Sequence, residues 1–391
     1  MGSAKDNAEE PQWVKDERKR KAVYLDKIRG SLFGGAVGDA LGYPVEFMKE
    51  DAIFKKYGKK GIVSYEKHPG SGKALISDDT QMSLFTANGI LVGDTRGSLR
   101  GIAAGPAGYI YDAYLDWYTT QEGSYNDKEG KHISWLLNVP ELFAVRVPGN
   151  TCMSALEELK YRSNIGYPEV LSIKRNDSKG NGGLMRVAPL ALFYGSRSNL
   201  DDIDKEGGNT ARITHCHSLG YMPAAALVHI ISRIVYPQTE MSLEDIIKEA
   251  KEAMLRIYEG DENLPGLIAV IDLAMKLAAN TDDDLTNIHK IGAGWVAEET
   301  LGIALYCALR YRNDFSGGII AAVNHNGDSD TTGAVAGNIL GALCGYEAIE
   351  EKWKQDMELS DVILEIADDL CYGCMMDGYS DHNDEEWLKK Y

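Results

Sequence analysis

The chain has 391 residues, of which 44% are hydrophobic and 26% are charged, which fits one large globular core or two domains of ordinary size. The 59 acidic and 41 basic side chains give a formal net charge of −18, which disfavours a nucleic-acid partner, and no long uncharged apolar run predicts a membrane span. Six cysteines are too few for a disulfide scaffold, and no apolar segment follows a basic start, so we expect reduced thiols and a cytoplasmic location.

Residues 1–26 form a polar extension in which positive and negative charges alternate between Lys15 and Lys21. Such a pattern suits a solvated helix face. The extension is predicted either to fray into the first helix or to serve as a partner-binding arm. Residues 27–391 are predicted to form a single domain.

Helical patterns dominate the chain after this extension. Apolar residues recur at three- and four-residue spacing in residues 224–235, 243–255 and 298–310, whereas alternating β-branched residues are scarce. The fold class is therefore predicted to be all-α, a single large bundle of many helices. Loops are expected where Gly, Asn, Asp and Ser collect, which is in residues 121–131, 172–183, 199–209, 280–293 and 324–333.

Two segments carry a glycine at every fourth position. The first contains Gly34, Gly38 and Gly42, and the second contains Gly333, Gly337, Gly341 and Gly345. Each interior glycine costs a helix about 1 kcal/mol against alanine. A whole row of them favours a helix surface on which a second helix backbone lies closely. The two segments are predicted to be central helices that pack on each other.

A sharp acidic motif, Ser77-Asp78-Asp79-Thr80, precedes an apolar helical segment. Two adjacent carboxylates and a hydroxyl supply the hard oxygen ligands that suit magnesium, calcium or manganese. The alternative is a helix N-cap formed by Ser77 or Asp78, with Gln81 closing a capping box. A cap requires only one of these groups.

A second acidic motif, Asp328-Ser329-Asp330-Thr331, opens the second glycine-bearing segment. In a loop, this spacing can turn both carboxylates toward one point, and Thr331 adds a hydroxyl. An EF-hand is excluded because its glycine and twelfth-position glutamate are missing, and a capped helix is the alternative. A binuclear metal site assembled from both acidic motifs is the economical explanation of their similarity.

Charge arithmetic favours this metal site. The carboxylates that would meet there are Asp39, Glu46, Asp78, Asp79, Asp328 and Asp330. Crowded together without cations, several of them would have to protonate. Two divalent cations would allow most of them to stay ionised.

Residues 178–183, with the sequence SKGNGG, are a candidate phosphate-binding turn, because bare backbone N–H groups can approach a pyrophosphate closely. The segment is neither a Walker loop nor a dinucleotide-binding fingerprint, and a simple flexible turn is the alternative. Residues 149–151 form either a second such turn or the cap of a preceding helix. His215 is either a polar contact to a ligand or an ordinary loop or helix-cap histidine.

Taken in order, these motifs resemble the ADP-ribosylglycohydrolase family, which includes the dinitrogenase reductase-activating glycohydrolases and the ADP-ribosylhydrolases. The resemblance spans about residues 27–375. It rests on residues 38–42 with Glu46, residues 77–80, Gly149-Asn150, residues 180–183 with Met185-Arg186, Thr214-His215 and residues 328–331. It implies an orthogonal all-α bundle with a central binuclear magnesium or manganese centre that binds the distal ribose of ADP-ribose.

The resemblance also implies roles for individual residues. The expected metal ligands are Ser77, Asp78, Asp79, Asp328, Asp330 and Thr331, with Asp330 as the bridge between the two ions. The expected substrate-binding residues are Asp39, Gly149, Asn150, Ser178, Gly180, Asn181, Gly182, Gly183 and His215. Catalytic roles are expected for Glu46, Asp79 and Asp328. The chain departs from the family pattern at Ser77, where threonine is more usual, and at Lys179, where some members have an aromatic residue.

The resemblance predicts a metal-dependent hydrolase that cleaves the N-glycosidic bond between ADP-ribose and a modified protein side chain. Arginine is the favoured side chain because residues 38–47 look closer to arginine-directed bacterial members than to serine-directed ones. The alternatives are a hydrolase of serine-linked ADP-ribose and a non-catalytic ADP-ribose-binding or structural protein. A metal phosphohydrolase of the His-Asp type is disfavoured because no histidine of the chain is followed directly by an aspartate.

The same resemblance implies the ligands and partners. Two Mg²⁺ or Mn²⁺ ions are the expected cofactors. The expected partners are an ADP-ribosylated protein substrate and ADP-ribose, with no nucleic acid and no membrane. A cognate ADP-ribosyltransferase is a further candidate partner.

Overall fold

The computed structural model describes residues 11–101, 105–125, 131–161, 169–376 and 382–391. Within these ranges the chain forms helices and a few isolated bridges, with no β-strand, so the all-α prediction is confirmed. The α-helices are α1 (Gln12–Ala22), α2 (Leu25–Gly42), α3 (Glu50–Tyr57), α4 (Asp78–Arg100), α5 (Pro106–Glu122), α6 (Asn150–Tyr161), α7 (Glu169–Ser172), α8 (Ala188–Tyr194), α9 (Leu200–Arg212), α10 (Ser218–Val235), α11 (Leu243–Ile257), α12 (Leu264–Ala278), α13 (Asp284–Ile291), α14 (Ala297–Arg310), α15 (Phe315–Val323), α16 (Ser329–Cys344), α17 (Glu351–Lys354), α18 (Ser360–Tyr372) and α19 (Glu385–Lys390). Short 3-10 helices cover Tyr43–Val45, Trp135–Asn138, Pro140–Leu142 and Asn181–Gly183.

Helices α2 and α16 form the centre of the fold and pack on each other along their glycines. A β-carbon on Gly38 would lie 1.9 Å from the carbonyl oxygen of Gly333, and one on Gly337 would lie 2.0 Å from that of Gly34. Backbones this close leave no room for a side chain, so the contact requires glycine. The packing predicted from the glycine spacing is confirmed.

The two central helices run antiparallel. Gly30 of α2 faces Gly341 of α16 near one end of the contact, and Gly42 faces Asp330 at the other. Gly345 follows the last residue of α16 with a φ of 80°, and its backbone borders the end of the contact, 2.8 Å from where a β-carbon on Gly30 would lie. Glycine is favoured in that left-handed conformation, so Gly345 also ends the helix.

Residues 199–209, which were expected to form a loop, belong mostly to α9. A β-carbon on Gly207 would lie 2.8 Å from the Val228 side chain, so this glycine lets α9 approach the largely buried α10. Asn199 caps the helix by accepting a hydrogen bond from the backbone N–H of Asp201 at 3.0 Å. The loop prediction was wrong because these residue types serve a cap and a helix contact here.

Three other expected loops differ from the prediction in part. Residues 329–333 of the loop expected at 324–333 belong to α16. Residues 280–293 contain helix α13, which Asp283 caps by accepting a hydrogen bond from the Thr286 N–H at 2.9 Å. In the expected loop at residues 121–131, residues 126–130 lie outside the described part of the chain. Polar residues before a helix can therefore indicate its cap as well as a loop.

Helix α1, in the polar N-terminal extension, packs on the rest of the fold. Val14 is fully buried, and the Lys21 Nζ atom donates a hydrogen bond to the Tyr372 carbonyl oxygen at the end of α18 at 2.6 Å. Of the charged residues between Val14 and Lys21, Asp16, Lys19 and Arg20 are exposed, whereas Arg18 lies over the Tyr372 ring at 5.3 Å. The domain boundary at residue 26 stays a prediction.

Helix α10 alone among the described helices is long and apolar enough to cross a membrane. Its apolar window covers Ser218–Val235, and 83% of that window is buried inside the fold. Burial of this kind is typical of a core helix.

The α2–α16 contact predicts an unusual response to a single methyl group. Gly337→Ala should lower the free energy of unfolding by about 3 kcal/mol, because the methyl group meets backbone atoms that cannot rotate away. The matched control is Gly266→Ala in α12, where the nearest atom to a new β-carbon is 3.8 Å away. That variant should gain about 0.5–1 kcal/mol from helix propensity. Equal effects of both variants in urea unfolding would contradict the packing argument.

Candidate metal centre

A cavity of about 390 Å³ opens where the ends of α2, α4 and α16 meet. Its carboxylates are Glu46, Asp78, Asp79, Asp328 and Asp330, and Thr331 adds a hydroxyl. Its other polar residues include Gly149, Asn150, Gly180, Asn181, Gly182 and His215. The cavity therefore holds most of the residues that the sequence singled out.

The central helix pair explains why these carboxylates meet. Asp78 and Asp79 are the first residues of α4, and Asp328 and Asp330 lie at the start of α16. Glu46 follows the 3-10 helix that continues from the end of α2. Because α2 and α16 are antiparallel, the end of α2 faces the beginning of α16. The structure thus brings the two acidic motifs and Glu46 to one place.

The carboxylate oxygens lie close enough to share a ligand. Glu46, Asp328 and Asp330 each offer an oxygen within 4.8 Å of the others. Among the described residues, Oε2 of Glu46 and Oδ2 of Asp79 are buried without a hydrogen-bond partner. A buried oxygen of this kind is costly unless something binds to it.

Burial and mutual repulsion disfavour the ionised form of these carboxylates. Burial raises the pKa of Glu46 to about 8, and the negative charge of Asp328 adds to the effect. Burial raises the pKa of Asp79 well above its usual value, as does the charge of Asp78. The pKa of Asp330 is raised in the same way by burial and by Asp328. Bound cations would reverse this balance and favour the ionised forms.

The residues present fit hard divalent cations. The described residues that line the cavity include no lysine or arginine, so no side-chain cation there neutralises the carboxylates. Carboxylate and hydroxyl oxygens are the ligands that magnesium and manganese prefer. The identity and number of the ions stay predictions.

Ser77 has a different position from the other expected ligands. It does not line the cavity, and its Oγ atom accepts a hydrogen bond from the Asp79 N–H at 3.2 Å as the N-cap of α4. The capping box does not form, because the Ser77 N–H donates to Asp39 and the Gln81 Oε1 atom accepts a hydrogen bond from Trp117 Nε1 at 3.2 Å instead. The cap alternative therefore holds for Ser77 but leaves both aspartates free to face the cavity.

Asp39, expected to bind substrate, lies behind the carboxylates and does not line the cavity. Its carboxylate accepts hydrogen bonds from the Ser77 N–H at 3.0 Å and the Thr80 N–H at 3.2 Å, and a third from the Thr80 hydroxyl. Burial raises the pKa of Asp39 to about 6 in spite of these bonds. Asp39 thus holds the first turn of α4 in place, because its oxygens are used within the protein.

The glycine-rich turn of residues 178–183 contributes to the cavity in part. Asn181 positions Asp328, since its Nδ2 atom donates to the aspartate Oδ2 and to the Gly294 carbonyl oxygen, each at 2.8 Å. Ser178 and Gly183, both expected to bind substrate, do not line the cavity. A β-carbon on Gly183 would lie 2.8 Å from Ala211, so this glycine serves packing.

The second turn begins a helix. Gly149 accepts a hydrogen bond from the Met153 N–H at 3.1 Å at the start of α6, so it caps the following helix and not a preceding one. Gly149 and Asn150 are exposed at the cavity. The Gly149 N–H already donates to Asp78 Oδ2 at 3.4 Å, so in this turn Asn150 offers its exposed side chain to a ligand.

His215 is a neutral side chain in the cavity wall. Burial lowers its pKa to about 3, and the positive charge of Arg186 contributes. Arg186 is itself fully buried, where it donates to the Thr214 hydroxyl at 2.6 Å and lies over the Tyr114 ring at 4.3 Å. A neutral imidazole can contact an anionic ligand by hydrogen bonding but brings no charge.

Two aromatic residues of the cavity, Phe47 and Trp295, were not predicted from the sequence. Phe47 follows Glu46 directly in the chain, and that adjacency was the available signal. Trp295 lies in the loop before α14 and follows the glycine pair Gly292 and Gly294. No spacing rule links this loop to the acidic motifs, so it could be found only in the fold.

Fold and site together define an all-α protein with a buried carboxylate centre suited to divalent cations. The family model for ADP-ribosylglycohydrolases matches residues 20–378. The chain belongs to this family.

Individual relatives agree with this assignment. The chain is 31% identical over 208 residues to the ADP-ribosylhydrolase ARH3 of Mus musculus, a match covering 46% of this chain and 53% of the relative, so the chain spans about half the length of that protein. It is 26% identical over 352 residues to the ADP-ribosyl-[dinitrogen reductase] glycohydrolase of Rhodospirillum rubrum, covering 88% of this chain and 95% of the relative. It is 24% identical over 353 residues to the ADP-ribosylarginine hydrolase Tri1 of Serratia proteamaculans, covering 89% and 80%.

A solved structure described as an ADP-ribosylglycohydrolase-related protein complex has the same fold. It superposes with a TM-score of 0.61 at 24% identity, covering 90% of this chain and 99% of the other.

The carboxylate cluster predicts stabilisation by metal that depends on Asp330. Excess Mg²⁺ or Mn²⁺ should raise the Tm of chelator-treated wild type, because an ion that binds only the folded state stabilises it by about 2.7 kcal/mol at a hundred times its Kd. Asp330→Asn should lose most of this shift, since an amide cannot neutralise the ions. The control is Asp283→Asn at the cap of α13, which should keep the full shift. A full shift in Asp330→Asn would contradict the metal assignment.

The raised carboxyl pKa values predict how metal-free stability varies with pH. The pKa of Glu46 rises from its ordinary value of 4.5 to about 8 on folding, so between these values the folded state binds more protons than the unfolded state. Stability should then fall as pH rises, by about 2 °C in Tm per pH unit in chelator. Glu46→Gln should have a shallower slope. An unchanged slope in this variant would show that other groups cause it.

Proposed function

We propose that this protein is a metal-dependent hydrolase that cleaves the N-glycosidic bond between ADP-ribose and an arginine side chain of a modified protein, and releases ADP-ribose. The observation that carries the proposal is the meeting of Glu46, Asp78, Asp79, Asp328 and Asp330 in one cavity beside two glycine-containing turns. This is a cation-binding group next to backbone able to accept a diphosphate.

The cation ligands would be Asp78, Asp79, Asp328, Asp330 and Thr331, with Ser77 a prediction from family resemblance. When bound, two Mg²⁺ or Mn²⁺ ions would hold the hydroxyls of the distal ribose and stabilise the charge that develops during glycosidic bond cleavage. The protein prepares this site through Asn181 and Asp39. Asn181 orients Asp328, and Asp39 fixes the turn that carries Asp78 and Asp79.

The remaining polar residues of the cavity would hold the rest of ADP-ribose. Gly149, Asn150, Gly180 and Gly182 line the cavity and would contact the diphosphate and ribose, with the exposed Asn150 amide as one hydrogen-bond donor. His215 would donate or accept a hydrogen bond beside them in its neutral form. These contacts position the ribose C1′′ atom in front of the carboxylates, where water attacks it.

A carboxyl group of the cavity would carry out proton transfer. The candidates are Glu46, Asp79 and Asp328. Glu46 and Asp79 line the cavity, and each has a buried oxygen without a hydrogen-bond partner among the described residues, so this oxygen is not committed to another protein group. Such a group can activate the water or protonate the departing side chain.

One relative supports arginine as the modified side chain by its name, and a second, named for a modified dinitrogen reductase, supports a protein substrate. Both the Serratia proteamaculans protein, named an ADP-ribosylarginine hydrolase, and the Rhodospirillum rubrum glycohydrolase match over most of their length. The ARH3 match covers about half of that protein. A cognate ADP-ribosyltransferase as partner and a cytoplasmic location stay predictions.

A substrate panel tests the proposal. Purified protein with Mg²⁺ or Mn²⁺ is incubated with arginine-linked, serine-linked and poly-linked ADP-ribose, and released ADP-ribose is measured. We expect release from the arginine conjugate, and its loss on exhaustive chelation. Release from the serine conjugate alone would replace arginine by serine in the proposal. Tight binding of ADP-ribose without any release would identify a non-catalytic binding protein.

A further inference from the structure

Two aromatic rings lie exposed at the mouth of the cavity. Phe47 is 68% exposed and Trp295 is 44% exposed, and both line the cavity together with Glu46, Asp328 and Asp330. The rings are stacked, with centroids 5.9 Å apart and planes inclined by 23°. These residues are called the aromatic pair below.

The fold ties each ring to the carboxylate cluster. Phe47 is the chain neighbour of Glu46. The loop of Trp295 is held on both sides. Before it, the Ala293 carbonyl oxygen accepts a hydrogen bond from the Asp328 N–H at 3.0 Å, and after it the Ala297 N–H donates one to the Lys179 carbonyl oxygen at 2.9 Å. The backbone at both rings is therefore tied to the segments that carry the carboxylates.

The electrostatic setting of the pair favours a planar cation. Aromatic faces attract cations, and an arginine guanidinium stacks on them especially well because it is flat and weakly hydrated. The carboxylates deeper in the cavity add a negative field at the same place. Two large apolar rings left open to water gain further stability when a ligand covers them.

The position of the pair fits the group beyond the scissile bond. In the proposed function, the carboxylate cluster holds the distal ribose, and the glycine-containing turns with His215 hold the diphosphate. The aromatic pair, beside Glu46 at the mouth, is then next to the departing side chain.

We propose that Phe47 and Trp295 bind the guanidinium group of the ADP-ribosylated arginine and thereby select arginine over uncharged linkages. This inference rests on the proposed function, and it assigns to the pair a contact with the modified side chain and none with ADP-ribose itself.

The test compares two ligands on the same variants. KM for an arginine-ADP-ribosylated peptide and the inhibition constant of free ADP-ribose are measured for wild type, Phe47→Ala, Trp295→Ala and Trp295→Phe. We expect Trp295→Ala to raise KM about tenfold, Phe47→Ala to raise it about threefold or more, and Trp295→Phe to recover most of the loss. The inhibition constant of ADP-ribose should stay within about twofold.

The control is Trp13→Ala, because Trp13 is 45% exposed on α1 and is not among the residues of the cavity. It should change neither constant. An equal rise in the ADP-ribose inhibition constant would overturn the inference, because the rings would then contact ADP-ribose. Unchanged KM values in both alanine variants, with Tm values near wild type, would also overturn it.

Failure of the proposed function gives a different result. If wild type releases nothing from the arginine conjugate with either metal, the hydrolase proposal is wrong. The inference is then decided by calorimetric Kd values for the intact conjugate and for ADP-ribose. A loss of affinity in Trp295→Ala for the conjugate alone supports the aromatic pair as a guanidinium site, and any other pattern overturns it.

Discussion

The close backbone contact between α2 and α16 is the constraint on which the rest of the structure depends. The helices approach so closely that their facing positions must be glycine, as at Gly38 and Gly333. This contact fixes the end of α2 against the beginning of α16. Glu46 and Asp330 are therefore brought together by a packing interaction that involves neither of their side chains. A residue change within the contact would move the site as well as weaken the core.

The same arrangement has an electrostatic cost. The buried carboxylates of the cavity repel one another. The raised pKa values of Glu46 and Asp79 reflect burial and this repulsion. Helix N-termini offset part of the negative charge. Hydrogen bonds donated to Asp39 and Asp328 also favour the ionised forms of these two carboxylates. The repulsion that remains is one that bound cations would offset, so we expect metal binding and the stability of this protein to be linked.

The features that could be predicted from the sequence are those in which physical chemistry restricts the residue type. A helix contact at this distance accepts only glycine, and glycine at every fourth position therefore predicted the central pair. Hard cations require oxygen ligands, and the acidic pairs Asp78-Asp79 and Asp328-x-Asp330 therefore indicated the residues of the cavity. In both cases a short segment of sequence carries the whole signal, since the constraint acts on adjacent positions or on one helix face.

The features that could not be predicted depend on which segments the fold brings together. Asn199 and Gly207 looked like loop residues because a cap and a helix contact use the same residue types as a loop. Asp39 was expected at the cavity because the sequence does not distinguish an aspartate that accepts hydrogen bonds from backbone N–H groups from one that binds a ligand. Trp295 gave no signal at all, since aromatic side chains are as common in cores as in binding sites. The role proposed for Trp295 depends on the exposure of its side chain and on the carboxylates that line the same cavity. The chemistry that a site needs is therefore easier to find in a sequence than the mouth through which its ligand enters, because loops from distant segments form that mouth.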